Sequence, residues 1–504
     1  MKLLRILLVL AGASATASAQ TTASTQTNAA QAREMSLQDC LLNALERNLD
    51  LRIARIGPAL AQLALQGSYA GYDPTFTIGG RHDFSMSGGG FNNTLGLPIP
   101  PTTTDANSFN GALANGLTPW GLNYTLVGNI SESYGNSSAG LFDSTIGNAN
   151  LRLSQPLLKN FWIDQTRLNI RVARNRVKYS GLALKQSIMT TATSVEQAYY
   201  NLIYAREFVK VQEKAVQLAT QLVMENRKRV QVGTMAPLDL QQAESQAATT
   251  EATLIAARTS LAVQENTLKQ LLTDDYSAWV PVEVRPTITL TAPIQVLDRQ
   301  LSWSRGLTQR PDILQSKLNV EQQGIQIKYA FNQLFPELDI IGGYGHNAGG
   351  VSEFSEALYQ IQQGSRPSYY YGGQLSFPIA NIGARSNYRQ SKLTQDQLLL
   401  TLKKLEQTIM VTIDNDIRQA QSSFQQVAAT RAAREYAAQA LDAEQKKLES
   451  GKSTTYTVLQ MQRDLTSAGG NEIQALANYN NALSQLSLDE ASTLERLGIN
   501  LEVK

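Results

Sequence analysis

A mainly helical fold with β-strands, built twice from long coiled-coil hairpins, is what this sequence of 504 residues predicts. Three observations carry that expectation. Branched apolar residues recur every seven positions at Val195, Leu202, Val209, Val216, Val223 and Val230, with small or polar residues three further on at Ala198, Ala205, Gln212, Ala219, Asn226 and Gly233. Strict seven-residue spacing keeps an apolar seam on one side of a helix and imposes a left-handed supercoil. Elsewhere the period becomes two, as in an amphipathic strand. The whole order of elements then occurs a second time, the mark of an internal duplication.

The N-terminus has the make-up of a secretory signal peptide, residues 1–19. Lys2 and Arg5 precede an apolar run from Ile6 to Ala11, and small residues follow at Ala17-Ser18-Ala19. No cysteine follows the expected cleavage site, so no lipid anchor is expected. Loss of Lys2 and Arg5 takes the formal charge from +2 to zero, which gives no electrostatic case for nucleic acid. Residues 20–35 read as a disordered leader. Two repeats are expected to follow, over 36–293 and 294–504.

Ser36 is a plausible cap for a helix in which Leu37, Leu41, Leu45 and Leu49 share a face, with an interruption at Gly57-Pro58. Cys40, the single cysteine, reads as a small buried thiol. From Pro74 to Met86 the chain alternates, placing Phe76, Ile78, His82, Phe84 and Met86 on one side. Leu122, Tyr124, Leu126 and Ile130 alternate too, as do Leu151 and Leu153. Residues 87–108 read as a long loop, and 109–131 fit either a membrane hairpin or part of an outer loop. In a soluble protein the apolar face of such strands is core. Behind a signal peptide, with Trp120, Tyr134, Phe161 and Trp162 near strand ends, it also fits a membrane barrel.

Gln155-Pro156 closes the strand region, and a helix follows from about Asp164 to Val232, on the order of 100 Å long. After the break at Gly233–Pro237 the heptad resumes at Leu240, Ala247, Leu254, Leu261 and Leu268 in a returning helix to about Leu272. WVPVEVRPTITL is a strand candidate. The second copy runs as a helix from Leu301 to Phe331, strands around Leu338 and Tyr369, a long helix from about Arg385 to Ser450, and a returning helix to about Leu497. An offset of 218 carries the first heptad onto Ile413, Ala420, Val427, Arg434, Leu441 and Leu448, so five of six stay apolar. The second copy is about 40 residues shorter, and the loss lies between its strands.

With this layout the chain resembles the TolC family of outer-membrane efflux proteins over essentially its whole mature length. The carriers are the NLDL and RPDI repeats at Asn48–Leu51 and Arg310–Ile313, the LSQP and LSFP corners, and the two hairpin tips. The first tip, Arg229, Gly233 and Asp239, fits the family pattern fully. The second, Lys447 and Gly451 followed by Thr457, fits it in part. The resemblance implies a homotrimer whose strands share one outer-membrane β-barrel in lipid and whose helices form a periplasmic α-barrel tunnel. It further implies that the hairpin tips dock a periplasmic adaptor, the membrane fusion protein of an inner-membrane pump, and that solutes leave through a passive duct.

Physics points the same way, because two or four strands cannot close a membrane barrel and open edges are not tolerated in lipid. The family's second tip often carries carboxylates where this chain has Thr457 and Gln460. The tunnel-mouth gate is therefore expected to rest on hydrogen bonds among Thr457, Gln460 and neighbours, with Lys452 a partner for Asp239. Leu238, Val458 and Leu459 are expected to pack the hairpin base.

No catalytic constellation is legible, and no metal or cofactor is expected. His82 and His346 lack Cys or paired carboxylates at ligand spacing, and Gly88-Gly89-Gly90 lacks the lysine of a phosphate loop. A surface coiled-coil adhesin or structural rod is the alternative from another class. The exit duct of a protein-secreting system is the alternative within the same fold.

Overall fold

The computed structural model describes residues 31–499 apart from 93, 95, 100 and 138–139. The expected signal peptide, residues 1–19, lies outside the described residues. In chain order the elements are β1 (Gln31–Met35), α1 (Leu37–Arg47), α2 (Leu49–Ser68), β2 (Thr75–Ser87), β3 (Gly90–Asn92), β4 (Leu97–Ile99), β5 (Thr102–Leu117), β6 (Asn123–Ser137), β7 (Gly140–Pro156), α3 (Gln165–Gln231) and α4 (Pro237–Leu272). They continue as α5 (Tyr276–Trp279), β8 (Val282–Pro286), α6 (Arg299–Gln309), α7 (Pro311–Asn332), β9 (Glu337–Val351), α8 (Phe354–Gln363), β10 (Pro367–Ser376), α9 (Ile382–Glu449), α10 (Thr455–Asp489) and α11 (Thr493–Arg496).

The long helices lie where the heptads put them. Asp164 caps α3 by accepting from the Arg167 N–H at 2.7 Å. The small-residue column is the deeper of the two: Ala198, Ala205, Gln212, Ala219 and Asn226 are all buried, whereas Val216, Val223 and Val230 are only half-buried. Small side chains let neighbouring helices approach, so the seam tightens around them. In α9 the polar member of the matching column, Arg434, is neutralised from α10 by Glu472 at 2.5 Å.

The duplication is visible in the packing. Val195 and Leu268 sit in one core cluster with Met35, Leu41, Tyr199 and Val284. Their counterparts 218 residues on, Ile413 and Leu486, sit in another with Ile313 and Ile409. The joints repeat as well. Asn48 Nδ2 donates to the Leu271 carbonyl at 3.0 Å, and Arg310 Nη1 donates to the Asp489 carbonyl at 3.1 Å. In each repeat a side chain between two short helices grips the end of the returning helix.

Four expectations need correction. The leader does not extend to residue 35, because Gln31–Met35 pairs in parallel with Val282–Pro286 and Met35 is buried, its carbonyl accepting from the Tyr199 hydroxyl at 2.9 Å. The first helix breaks at Asn48, whose Oδ1 caps α2 through the Leu51 N–H; Pro58 lies inside α2. The Leu301–Phe331 helix likewise divides at Arg310, since Pro311 opens α7 and disfavours helical geometry in the residue before it. Finally, Thr102–Leu117 is strand β5 where part of a loop was expected.

The strands form one six-stranded antiparallel sheet in the order β10-β9-β7-β6-β5-β2. The β3–β4 and β1–β8 pairs stand apart from it. The register aligns side chains in rows across the sheet. One row runs Phe76, Leu113, Leu126, Leu151, Tyr344, Tyr369. The opposite face carries Asn110, Asn129, Asn148 and Asn347 in one row and Arg81, Ser108, Ser131 and Ile146 in the next. The apolar face is open to solvent in the isolated chain, with Ile78 at 81% and Tyr371 at 85% exposure. α8 covers the outer part of that face through Phe354, Ala357 and Ile361 against Ile130 and Ala348.

Candidate functional site

The two hairpin tips are copies of one turn. α3 ends at Val232, and Gly233 follows at φ +77°, a left-handed conformation that costs glycine nothing. Its N–H reaches the Val230 carbonyl at 3.0 Å, and the Thr234 N–H reaches the Arg229 carbonyl at 2.9 Å. In the second tip Gly451 has φ +71°, and the Lys452 N–H reaches the Lys447 carbonyl at 2.8 Å. Pro237 then opens α4, with Asp239 in its first turn, where a carboxylate favours the positive end of the helix dipole. Thr454 caps α10 by accepting from the Thr457 N–H at 3.4 Å.

The tips also touch each other. Arg229 Nη1 donates to the Leu448 carbonyl at 3.4 Å, across from α3 to the last turn of α9. Beneath this contact Leu222, Leu441, Leu448, Val458 and Leu459 form an apolar plug between the hairpins. A cleft of about 90 Å3 remains beside Arg229 and Leu448. Val458 and Leu459 thus pack as expected, but Leu238 does not: it is 62% exposed at the turn. Lys447 pairs with Glu444 at 2.9 Å. The Ser453 hydroxyl and Lys447 hold the Glu444 carboxyl below its ordinary range.

The gate candidates divide. Thr457 and Thr454 share a hydroxyl contact at 3.0 Å. Gln460 lies between Asp464, to which its amide donates at 3.1 Å, and Arg463, which donates to it at 2.7 Å. Lys452 is exposed, and among the described residues no ion pair joins it to Asp239. Asp464 and Arg463 escaped the sequence reading, although Asp464 stands one helical turn after Gln460 and the spacing was available. Higher up, a groove of about 480 Å3 between α3, α4 and α10 is lined by hydroxyls and amides such as Thr250, Gln462 and Thr466, together with the Tyr204 and Phe208 rings.

At the other end of the helices the strand-to-helix corner is built rigidly. Arg167 donates to the Phe161 and Asn160 carbonyls, each at 2.8 Å, and pairs with Asp164. Asn332 accepts from the Asn160 N–H at 2.7 Å and donates to the Leu158 carbonyl at 3.2 Å. These bonds fix the short connection 157–164, and with it the sheet, against the helices. Both histidines lie on the apolar face of the sheet, each committed to a neighbour: His82 to Asn107 and His346 to the Ile361 carbonyl.

A sheet apolar on one face and polar on the other, standing on a duplicated hairpin, is the layout shared with known channels. The model of the outer membrane efflux protein family matches residues 121–273 and 303–488. The chain belongs to that family.

Outer membrane efflux protein BepC of Brucella suis is 25% identical to this efflux protein over 381 residues, 72% of this chain and 78% of that one. A probable outer membrane lipoprotein of Salmonella typhimurium, SilC, is 27% identical over 57% of this chain and 55% of its own. The crystal structure of the Campylobacter jejuni CmeC outer membrane channel covers 93% of this chain and 90% of its own with a TM-score of 0.67 at 16% identity. The efflux protein is therefore an outer-membrane channel rather than an enzyme, with its strands in the membrane and its helices in the periplasm. In that setting the apolar rows face lipid and the asparagine row faces the channel.

Proposed function

We propose that three copies of the chain assemble into a passive efflux duct, and that the hairpin tips receive a periplasmic adaptor linked to an inner-membrane pump. The observation that carries this reading is the sheet with two open edges standing on hairpins whose tips close on each other. One sheet of six strands leaves unpaired N–H and C=O groups at β2 and β10, which hydrocarbon does not tolerate. Partner copies satisfy them. Arg229, Gly233 and Asp239 on one tip and Lys447 and Gly451 on the other supply a repeated, exposed turn with charges on either side, suited to a helical hairpin of an adaptor.

The mouth is held shut by the Leu222–Leu448–Val458 plug and the Arg229 contact, with Thr457 and Gln460, bonded only within α10 and its cap, and Lys452 at its rim. Asp464 places a carboxylate within reach of Gln460, so charge is not excluded from this gate.

The test has two parts. The protein in detergent runs as a heat-modifiable trimer, and it co-purifies with its adaptor. Reversing charge at the tips, with Asp239→Lys and Lys447→Glu together, abolishes co-purification and leaves the trimer intact. A monomer in mild detergent, or full adaptor capture by the reversed variant, would remove the reading. Arg229→Ala raises single-channel conductance if the tip contact helps hold the mouth shut; unchanged conductance would take Arg229 out of the gate.

A further inference from the structure

The two repeats differ in one respect that the duplication does not explain. β2 follows α2 as β9 follows α7, and β7 precedes α3 as β10 precedes α9. Between the flanking pairs the second repeat holds only a loop with α8, whereas the first holds β5 and β6. The repeat offset measures the difference. It is 262 residues between Asn48 and Arg310 and 222 between Pro156 and Pro378. The hairpin Thr102–Ser137 accounts for most of the missing 40 residues.

That hairpin has the faces of a barrel wall. Its apolar face puts Leu113 and Leu126 in the row that runs from Phe76 to Tyr369 across all six strands. Phe109 and Ile130 continue the next level, between Gly80 and Gly147. Its other face puts Asn110 and Asn129 in the asparagine row with Asn148 and Asn347. A plug or an outer loop has no need to keep an apolar band in step with its neighbours. A membrane wall does.

We infer that Thr102–Ser137 is an inserted pair of wall strands, so that three copies close a barrel of eighteen strands. Each protomer meets the next along a single seam between its β10 and the neighbour's β2. The inference rests on the trimeric duct proposed above. Direction supports the seam. The six strands alternate along the sheet from β2 upward to β10 downward, so β10 of one copy meets β2 of another antiparallel, as in every other pair of the wall. Among the described residues no strand covers either edge, and α8 packs mainly on β6, β7 and β9, reaching β5 through Phe354 on Phe109. Barrels of sixteen to eighteen strands enclose an aqueous channel, here lined by carboxamides and hydroxyls. The exit is then wide, with the Arg81–Asp83 pair as a charged spot on an otherwise neutral band, and selection falls to the helical end.

Disulfide scanning of the full chain in outer membranes tests this, with Cys40→Ala removing the native thiol. Thr77→Cys or Arg81→Cys on β2 is combined with Ser368→Cys or Gln374→Cys on β10, which spans the registers a seam can adopt. At least one pair yields disulfide-linked dimers and trimers under mild oxidant. Ser108→Cys on β5, combined with the same β10 positions, yields none. Linkage of β5 to β10 between copies would overturn the inference, because β5 would then be the edge. Light scattering in detergent separates the two readings. A trimer without any β2–β10 linkage sinks the seam alone, and a monomer sinks the duct itself. Cryo-electron microscopy of the trimer in lipid nanodiscs counts the wall directly: eighteen strands agree, and twelve with the hairpin outside the wall do not.

Discussion

Removing the Arg496 guanidinium exposes what a buried charge costs in this fold. Glu196 on α3 is fully buried. Its two oxygens accept from Arg496 Nη1 at 2.8 Å and Nη2 at 2.5 Å, and the Tyr200 hydroxyl donates to it at 3.0 Å. The pair ties α11, at the end of the second repeat, to the first long helix. In Arg496→Ala the carboxylate keeps Tyr200 and loses both charged donors. Breaking a buried pair costs about 3–5 kcal/mol; the lower end applies, because the Arg496 side chain is 34% exposed. At roughly 2.1 cal/mol/K per residue, a chain of this length unfolds with an entropy of about 1 kcal/mol/K, so ~3 kcal/mol lowers the melting temperature by about 3 °C. Thermal unfolding followed by far-ultraviolet circular dichroism at fixed pH reads this. The double variant Glu196→Leu with Arg496→Met recovers most of the loss, since two apolar side chains leave no uncompensated charge. A double variant as unstable as Arg496→Ala would refute the reasoning and move the cost to lost packing around Arg496.

Asp416 carries a pH dependence. Burial first, and then the neighbouring Asp489 carboxyl, raise it from 3.8 to about 7, against the pull of Arg310. The folded chain keeps a proton there that the unfolded chain releases, so stability falls as pH rises from about 4 to about 7. Asp416→Asn flattens that slope and stabilises the protein above pH 7 by ~2 kcal/mol, measured as melting temperature against pH. Burial pushes the Cys40 thiol up to about 12, so maleimide at pH 8 labels the folded protein at least ~100-fold more slowly than the urea-unfolded one. Gly233→Ala and Gly451→Ala meet no neighbouring atom within 4 Å. Their cost is the left-handed backbone alone, about 1–2 kcal/mol, which shows as faster proteolytic nicking at the tips with unchanged helix content, and Asn at either position is milder.

The helical parts were legible because their burial repeats along the chain. α3 begins and ends within a residue of the expected limits, Asp164 and Val232, and the offset of 218 between Gly233 and Gly451 aligned the two heptads. The inner half of β5 fell within the 109–131 segment that fits a membrane hairpin, but the outer half was not legible. Its outer half reads Thr102-Thr103-Thr104-Asp105-Ala106-Asn107, where one side faces a channel and the other lies above the apolar band, so neither side is apolar. The break at Asn48 was masked by Gly57-Pro58, a louder local feature that α2 accommodates. The Arg229 contact with Leu448 joins residues 219 apart, and nothing in either tip alone announces it. His82, by contrast, was placed correctly among Phe76, Ile78 and Phe84 by alternation alone.

The joints that grip the returning helices make the two halves of each protomer mechanically unlike. Asn48 is a neutral latch, and acid leaves its bond to Leu271 alone. Arg310 is a charged latch, bonded to the Asp489 carboxylate at 2.6 Å as well as to its carbonyl, with Asp416 beside it. Ionisation of Asp416 beside the Asp489 carboxylate strains this latch as pH rises and spares the other. A rise in pH would therefore free one stave of each pair more readily than its neighbour, and the motion it provokes would be a twist rather than an even dilation.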